Sequence, residues 1–62
     1  MLYEVIFIDI DFNEYPYAVE GKTPSEAESE ARKRFEFDYP EISPDELYDI
    51  EVYLCDRKWY KW

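Results

Sequence analysis

The chain has 62 residues and a formal net charge of −9, with sixteen acidic and seven basic residues. This length favours a single domain over residues 1–62, and aromatic residues, at 21% of the chain, are large enough to fill a small core. One cysteine and no histidine exclude an intramolecular disulfide and a histidine-containing zinc site, while the excess of acid excludes unaided binding to nucleic acid.

The first predicted element is a strand over residues 2–12, where side chains alternate between two faces. The even-numbered side is apolar from Ile6 onward, and we predict that it faces the core. The odd-numbered side begins apolar and ends with Asp9 and Asp11. Because the start of the strand is apolar on both sides, it is predicted to be central in its sheet.

A second strand is predicted over residues 14–20, after a turn at Asn13-Glu14. Pro16 lacks a backbone N–H donor and favours the edge of the sheet. Two extended segments joined by a short turn therefore predict a hairpin.

The clearest local signal is Thr23-Pro24-Ser25-Glu26, which predicts the start of a helix. Threonine caps the first turn, proline fits within it, and Glu26 returns a hydrogen bond to the amide of the cap. The helix is predicted to end near Glu36 or Phe37. Its buried stripe follows four-residue spacing and consists of Ala27, Ala31 and Phe35.

A shorter capping pattern, Ser43-Pro44-Asp45-Glu46, predicts one helical turn before a third strand over residues 48–56. Residues 57–62 are compatible with a short fourth strand. The element order predicts an α+β fold, with one helix on one face of a three- to four-stranded, mostly antiparallel sheet. Since one helix covers one face only, we expect Tyr3, Phe7 and Tyr53 on the uncovered face, in contact with a second copy or a partner.

Candidate catalytic and metal sites are weak. Asp9, Asp11, Asn13 and Glu20 match four ligand positions of a calcium loop, but Glu14 occupies the position that requires glycine. Without histidine, no pair of nucleophile and base is evident. We therefore predict a non-enzymatic protein with no metal and no cofactor.

Charge is segregated along the chain. Residues 1–20 contain five acids and no base, and residues 36–56 contain eight acids and no base, whereas the helix pairs its own charges as Glu28–Arg32 and Glu30–Arg34. A solvated acidic surface or a halophilic origin explains this pattern without any partner. The functional alternative is a patch that binds a basic partner, for which the predicted residues are Asp9, Asp11, Asp45, Glu46, Asp49 and Glu51.

The small size, acidity, aromatic content and predicted single helix resemble phage-encoded inhibitors that mimic DNA, of the anti-CRISPR and antirestriction type. The resemblance implies an inhibitor that occupies a basic nucleic-acid site of a target protein. The longest apolar run, residues 5–8, is too short for a signal peptide or a membrane span, so we expect a cytoplasmic protein that binds no membrane.

A second resemblance concerns the residues Tyr17-Ala18-Val19-Glu20-Gly21-Lys22-Thr23-Pro24-Ser25-Glu26-Ala27. This segment is similar to the junction between strand and helix in HicB-type antitoxin domains. It implies an alternative function, an interaction module that forms a homodimer through its aromatic sheet face.

Overall fold

The computed structural model describes residues 1–55. The elements are β1 (Leu2–Asp9), β2 (Glu14–Glu20), α1 (Pro24–Asp38), a 3₁₀ turn (Pro44–Glu46) and β3 (Leu47–Leu54). The sheet has the order β2-β1-β3, and both outer strands run antiparallel to β1. The α+β fold with a central first strand is thus confirmed, whereas the fourth strand predicted over 57–62 lies outside the described residues.

Helix α1 begins at the predicted cap. Thr23 has an extended backbone, and its hydroxyl accepts a hydrogen bond from the Glu26 amide at 3.1 Å. The Glu26 carboxylate accepts from the amide of Lys22 at 2.9 Å, one residue before the amide that we predicted. The helix ends at Asp38, slightly later than predicted, and buries the predicted stripe of Ala27, Ala31 and Phe35.

The predicted core face of β1 is wrong. The odd-numbered side faces the helix: Tyr3, Val5 and Phe7 are buried, and the ring of Phe7 stacks on that of Phe35 at 4.6 Å. The even-numbered residues Ile6 and Ile8 lie on the opposite face and are only half-buried.

Cross-strand pairing explains which side is buried. Phe7 pairs with Tyr15 and Ile50, so burying the odd side collects apolar side chains from all three strands. Ile8 pairs with Glu14 and Asp49, so burying the even side would take carboxylates out of water without partners. The neighbours across the sheet therefore decide which face packs against the helix.

Gly21 allows close approach between the end of β2 and α1. A Cβ atom at this position would lie 3.0 Å from the backbone nitrogen of Ala27 and 3.4 Å from its Cβ. Together with the small side chains of Ala27 and Ala31, this position keeps the helix near the sheet.

The charges of α1 are only partly paired. Arg32 donates to the Glu28 carboxylate at 3.0 Å, as predicted. Arg34 instead donates to the carbonyl oxygen of Ala18 at 3.4 Å, and its predicted ion pair with Glu30 is not formed among the described residues.

Candidate binding surface

No helix or strand of residues 1–55 packs on the sheet face opposite α1, which we call the uncovered face. The pairing of β1 defines its residues. Ile6 pairs with Glu51, and Ile8 pairs with Glu14 and Asp49. Directly paired residues of antiparallel strands project to the same side of the sheet, and so do alternate residues of one strand. The carboxylates of the uncovered face are therefore Glu4, Glu14, Glu20, Asp49 and Glu51.

These carboxylates have no basic neighbour on the strands. β1, β2 and β3 contain neither lysine nor arginine. The basic side chains among residues 1–55 belong to α1 or directly precede it: Lys22, Arg32, Lys33 and Arg34. One positive group does lie beside these acids, since the N-terminal ammonium of Met1 is 3.4 Å from the Glu20 carboxylate. The strands thus carry acidic but no basic side chains, whereas the helix carries both.

Sheet geometry sets the spacing of the acids. Asp49 and Glu51 are alternate residues of β3, about 6.6–6.8 Å apart along the strand. Asp49 and Glu14 flank Ile8 from the two outer strands, about 9–10 Å apart across the sheet. The uncovered face therefore presents a row of carboxylates on each outer strand, with Glu4 on the central strand between them beside the aliphatic residues Ile6 and Ile8.

Tyr53 lies within one of these rows. Its hydroxyl donates a hydrogen bond to the Glu51 carboxylate at 2.8 Å. This hydrogen bond, aided by the negative charge of Glu51, raises the pKa of Tyr53. Tyr53 is exposed on the uncovered face, as predicted, whereas Tyr3 and Phe7 lie in the core, so their predicted availability to a partner is wrong.

Asp9, predicted as a binding residue, is only 7% exposed. One of its oxygens accepts from the amides of Asp11 and Asn13, each at 2.9 Å, and the other accepts from the Asn13 side chain at 3.1 Å and the Tyr15 hydroxyl at 3.0 Å. Burial alone raises the pKa of Asp9, but these hydrogen bonds, those from Asn13 first, outweigh it and hold the pKa below its usual value. Asp9 therefore organises the hairpin turn.

The remaining predicted acids lie at the end of the sheet where β1 finishes and β3 begins. Asp11 is exposed in the hairpin turn, and Asp45 and Glu46 are exposed in the 3₁₀ turn. The two turns are joined by a hydrogen bond of 3.0 Å from the Ile10 amide to the Glu46 carbonyl oxygen. Asp49 is the third residue of β3, close to the 3₁₀ turn. The acids at this end of the sheet therefore adjoin those of the uncovered face.

Sequence reasoning missed Glu4, Glu14 and Glu20 as members of this surface. The signal was present in the hairpin, because pairing of β1 with β2 places Glu14 beside Ile8 and Glu20 beside Leu2. With the wrong side of β1 assigned to the core, that pairing would have placed these acids inside the protein.

Aromatic side chains are exposed beside the acids at the end of the sheet. Phe12 and Tyr48 are 67% and 64% exposed, and their rings meet edge to face at 5.2 Å. Ile10, in the same turn as Phe12, is 60% exposed. We call Ile10, Phe12 and Tyr48 the aromatic corner.

No protein-family model, curated protein or solved structure matches this chain. Among residues 1–55, no helix is long and apolar enough to cross a membrane. The same residues contain no group of three or more cysteine, aspartate and glutamate side chains arranged to hold a metal ion. Glu20, the last residue of the calcium-loop spacing, pairs with Leu2 at the end of β2 remote from Asp9.

Proposed function

We propose that this protein is a non-enzymatic inhibitor that occupies a basic nucleic-acid-binding site of a target protein. One observation carries the proposal. The uncovered face bears five carboxylates, Glu4, Glu14, Glu20, Asp49 and Glu51, on strands that contain no base. Self-repulsion among these charges costs stability in a domain with little to spare, and a basic partner relieves it.

The spacing of the acids supports phosphate mimicry. Successive phosphates of one DNA strand advance about 3.4 Å along the helix axis, so two steps match the 6.6–6.8 Å between alternate carboxylates of a strand. Asp49 and Glu51 have this spacing on β3. Lysine and arginine side chains that hold phosphates would accept these carboxylates with the same charge-assisted hydrogen bonds.

The mechanism is competition. Opposite charges steer the acidic face to the basic site and speed association, and the bound protein then excludes the nucleic acid. No covalent chemistry is required of any side chain.

The alternative function is a homodimer formed through an aromatic sheet face, and two of the three residues expected in that contact are not exposed. Tyr3 and Phe7 are buried under α1, and two copies of the uncovered face would bring like charges together. Tyr53 alone of the three remains exposed on that face.

Competition between the protein and duplex DNA for one target tests the proposal. Proteins captured from an extract of the source organism on the immobilised chain are purified, and their DNA binding is measured by mobility shift with and without the inhibitor. We expect the wild type to displace DNA and an Asp49→Lys, Glu51→Lys variant to lose this effect.

The matched control is a Glu30→Lys, Glu36→Lys variant, which changes net charge equally at two exposed positions of α1. It is expected to displace DNA nearly as well as the wild type. Two outcomes contradict the proposal. Either the wild-type protein does not displace DNA from the target, or the two variants displace DNA equally well.

A further inference from the structure

The backbone of Phe12 is unusual for a bulky residue. Its φ angle is 65°, the only positive φ of a residue other than glycine in residues 1–55. The Phe12 amide donates to the Asp9 carbonyl oxygen at 2.9 Å, and the Asp9 amide donates to the Asn13 carbonyl oxygen at 3.1 Å. This hairpin therefore needs a left-handed residue directly after its turn, a position that favours glycine or asparagine.

Neither the turn nor the core explains the phenylalanine ring at this position. Glycine would satisfy the turn with less strain, and a ring that is 67% exposed contributes little to the core. The ring instead packs on Tyr48 from the start of β3. A strained backbone at Phe12 therefore coincides with an aromatic pair that is exposed to solvent.

The charges around the aromatic corner determine what can cover it. Asp11 lies between Ile10 and Phe12, and Asp49 follows Tyr48. Asp45 and Glu46 lie in the 3₁₀ turn that is hydrogen-bonded to Ile10. A second copy would bring the same acids together, and a nucleic acid would oppose them with phosphates, so the complementary occupant is a basic protein surface.

We infer that Phe12 and Tyr48 form an apolar anchor that inserts into a cleft between basic side chains of the partner protein, while the surrounding acids pair with the rim of that cleft. Aromatic side chains within a polar rim are the usual centre of binding energy at protein interfaces. The basic character of the partner rests on the proposed function; the anchor itself rests on the exposed and strained Phe12.

Two synthetic peptides of equal length and charge test this inference. Both alternate arginine with serine, and in one of them two central serines are replaced by leucine. Dissociation constants are measured for the wild type, for Phe12→Gly and for Phe37→Ser, which removes a phenylalanine that is 86% exposed on α1 outside the aromatic corner. Circular dichroism verifies that each variant is folded.

The wild type and Phe37→Ser are expected to bind the leucine peptide about tenfold more tightly than the serine peptide. In Phe12→Gly this preference disappears while binding of the serine peptide is unchanged. Equal preference for leucine in Phe12→Gly and in the wild type, or no preference in either, overturns the anchor. Failure of the serine peptide to bind any form counts against the acidic surface of the proposed function instead.

Discussion

The two faces of the sheet are built from the same three strands, yet they treat carboxylates in opposite ways. The covered face includes one acid, Asp9, whose oxygens accept three hydrogen bonds from the hairpin turn and one from Tyr15 of β2. The uncovered face displays five acids, and of these Glu51 is the one bonded to a tyrosine. The carboxylate of Asp9 holds the hairpin together, whereas those of the uncovered face lie at the surface and make few bonds, such as the one from the Ile50 amide to Asp49 and the one from the N-terminal ammonium to Glu20.

The largest expected difference between the faces is in stability. Phe7→Ala removes a fully buried ring stacked on Phe35 and should cost about 3–5 kcal/mol of unfolding free energy, enough to unfold much of so small a protein. Ile8→Ala, on the other face of the same strand, should cost about 1 kcal/mol because Ile8 is half-buried. Urea denaturation measures both, and equal losses would contradict the assignment of the faces.

Asp9→Asn should destabilise the protein at neutral pH, because an amide group cannot accept all four hydrogen bonds of the carboxylate. The pKa of Asp9 is lower in the folded protein than in the unfolded chain. Its stabilising contribution is therefore complete above the unfolded pKa, near 4, and is lost as the pH falls through the folded value.

The measurement for Asp9 is the difference in melting temperature between wild type and Asp9→Asn from pH 7 to pH 2.5. This difference should be constant down to about pH 4 and then shrink. Asp49→Asn is the matched control on the uncovered face. If its melting temperature differed from that of the wild type by the same amount and with the same pH dependence, Asp9 would not differ from the acids of the uncovered face.

Phe12→Gly separates stability from binding. Glycine avoids a left-handed cost of roughly 1–2 kcal/mol, while loss of the ring pair with Tyr48 costs about 0.5–1.5 kcal/mol. The unfolding free energy should consequently change little, between a fall of about 0.5 kcal/mol and a rise of about 1.5 kcal/mol. Chemical denaturation checks this, and a loss well above 1 kcal/mol would show that the ring is needed for the fold.

The smallest expected effect is that of Glu51→Gln, which removes one charge from the uncovered face. The substitution relieves repulsion between carboxylates, which stabilises the fold, but it also removes the charged partner of Tyr53, which destabilises it. The unfolding free energy should therefore change by no more than about 0.5 kcal/mol. Glu51→Gln should stabilise the protein more at low salt than at high salt, because salt screens the repulsion among the acids of this face. Thermal melts at two ionic strengths measure it, and a change independent of salt would argue against crowded charge on this face.

Local patterns were sufficient to predict the order of the elements. The predicted end of the first strand at Phe12 and the predicted turn at Asn13-Glu14 are wrong, because β1 ends at Asp9, the chain turns directly after it, and Glu14 already belongs to β2. The cap at Thr23 and the spacing of Ala27, Ala31 and Phe35 act within one helix, and they located α1 to within two residues of its observed end. The strand order followed from the short hairpin and the single helix. Asp49 and Glu51 were placed on the surface because β3 alternates clearly between apolar and polar residues.

The face of β1 could not be predicted in the same way, since Ile6 and Phe7 are both apolar and periodicity alone does not rank them. Only pairing shows that Ile8 has acidic neighbours and Phe7 apolar ones. The role of Asp9 and the exposure of Phe12 depend on hydrogen bonds within the turn and on its contact with Tyr48. Both are tertiary features that leave no periodic trace in the sequence.

The most direct test of the central claim is the affinity of the uncovered face for its purified target at two salt concentrations. Binding of the wild type should weaken steeply as ionic strength rises, and Asp49→Lys, Glu51→Lys should weaken it further, mostly by slowing association. The Glu30→Lys, Glu36→Lys control should leave both rates nearly unchanged. If binding survives high salt and the paired reversal on β3, the carboxylates do not stand in for phosphates.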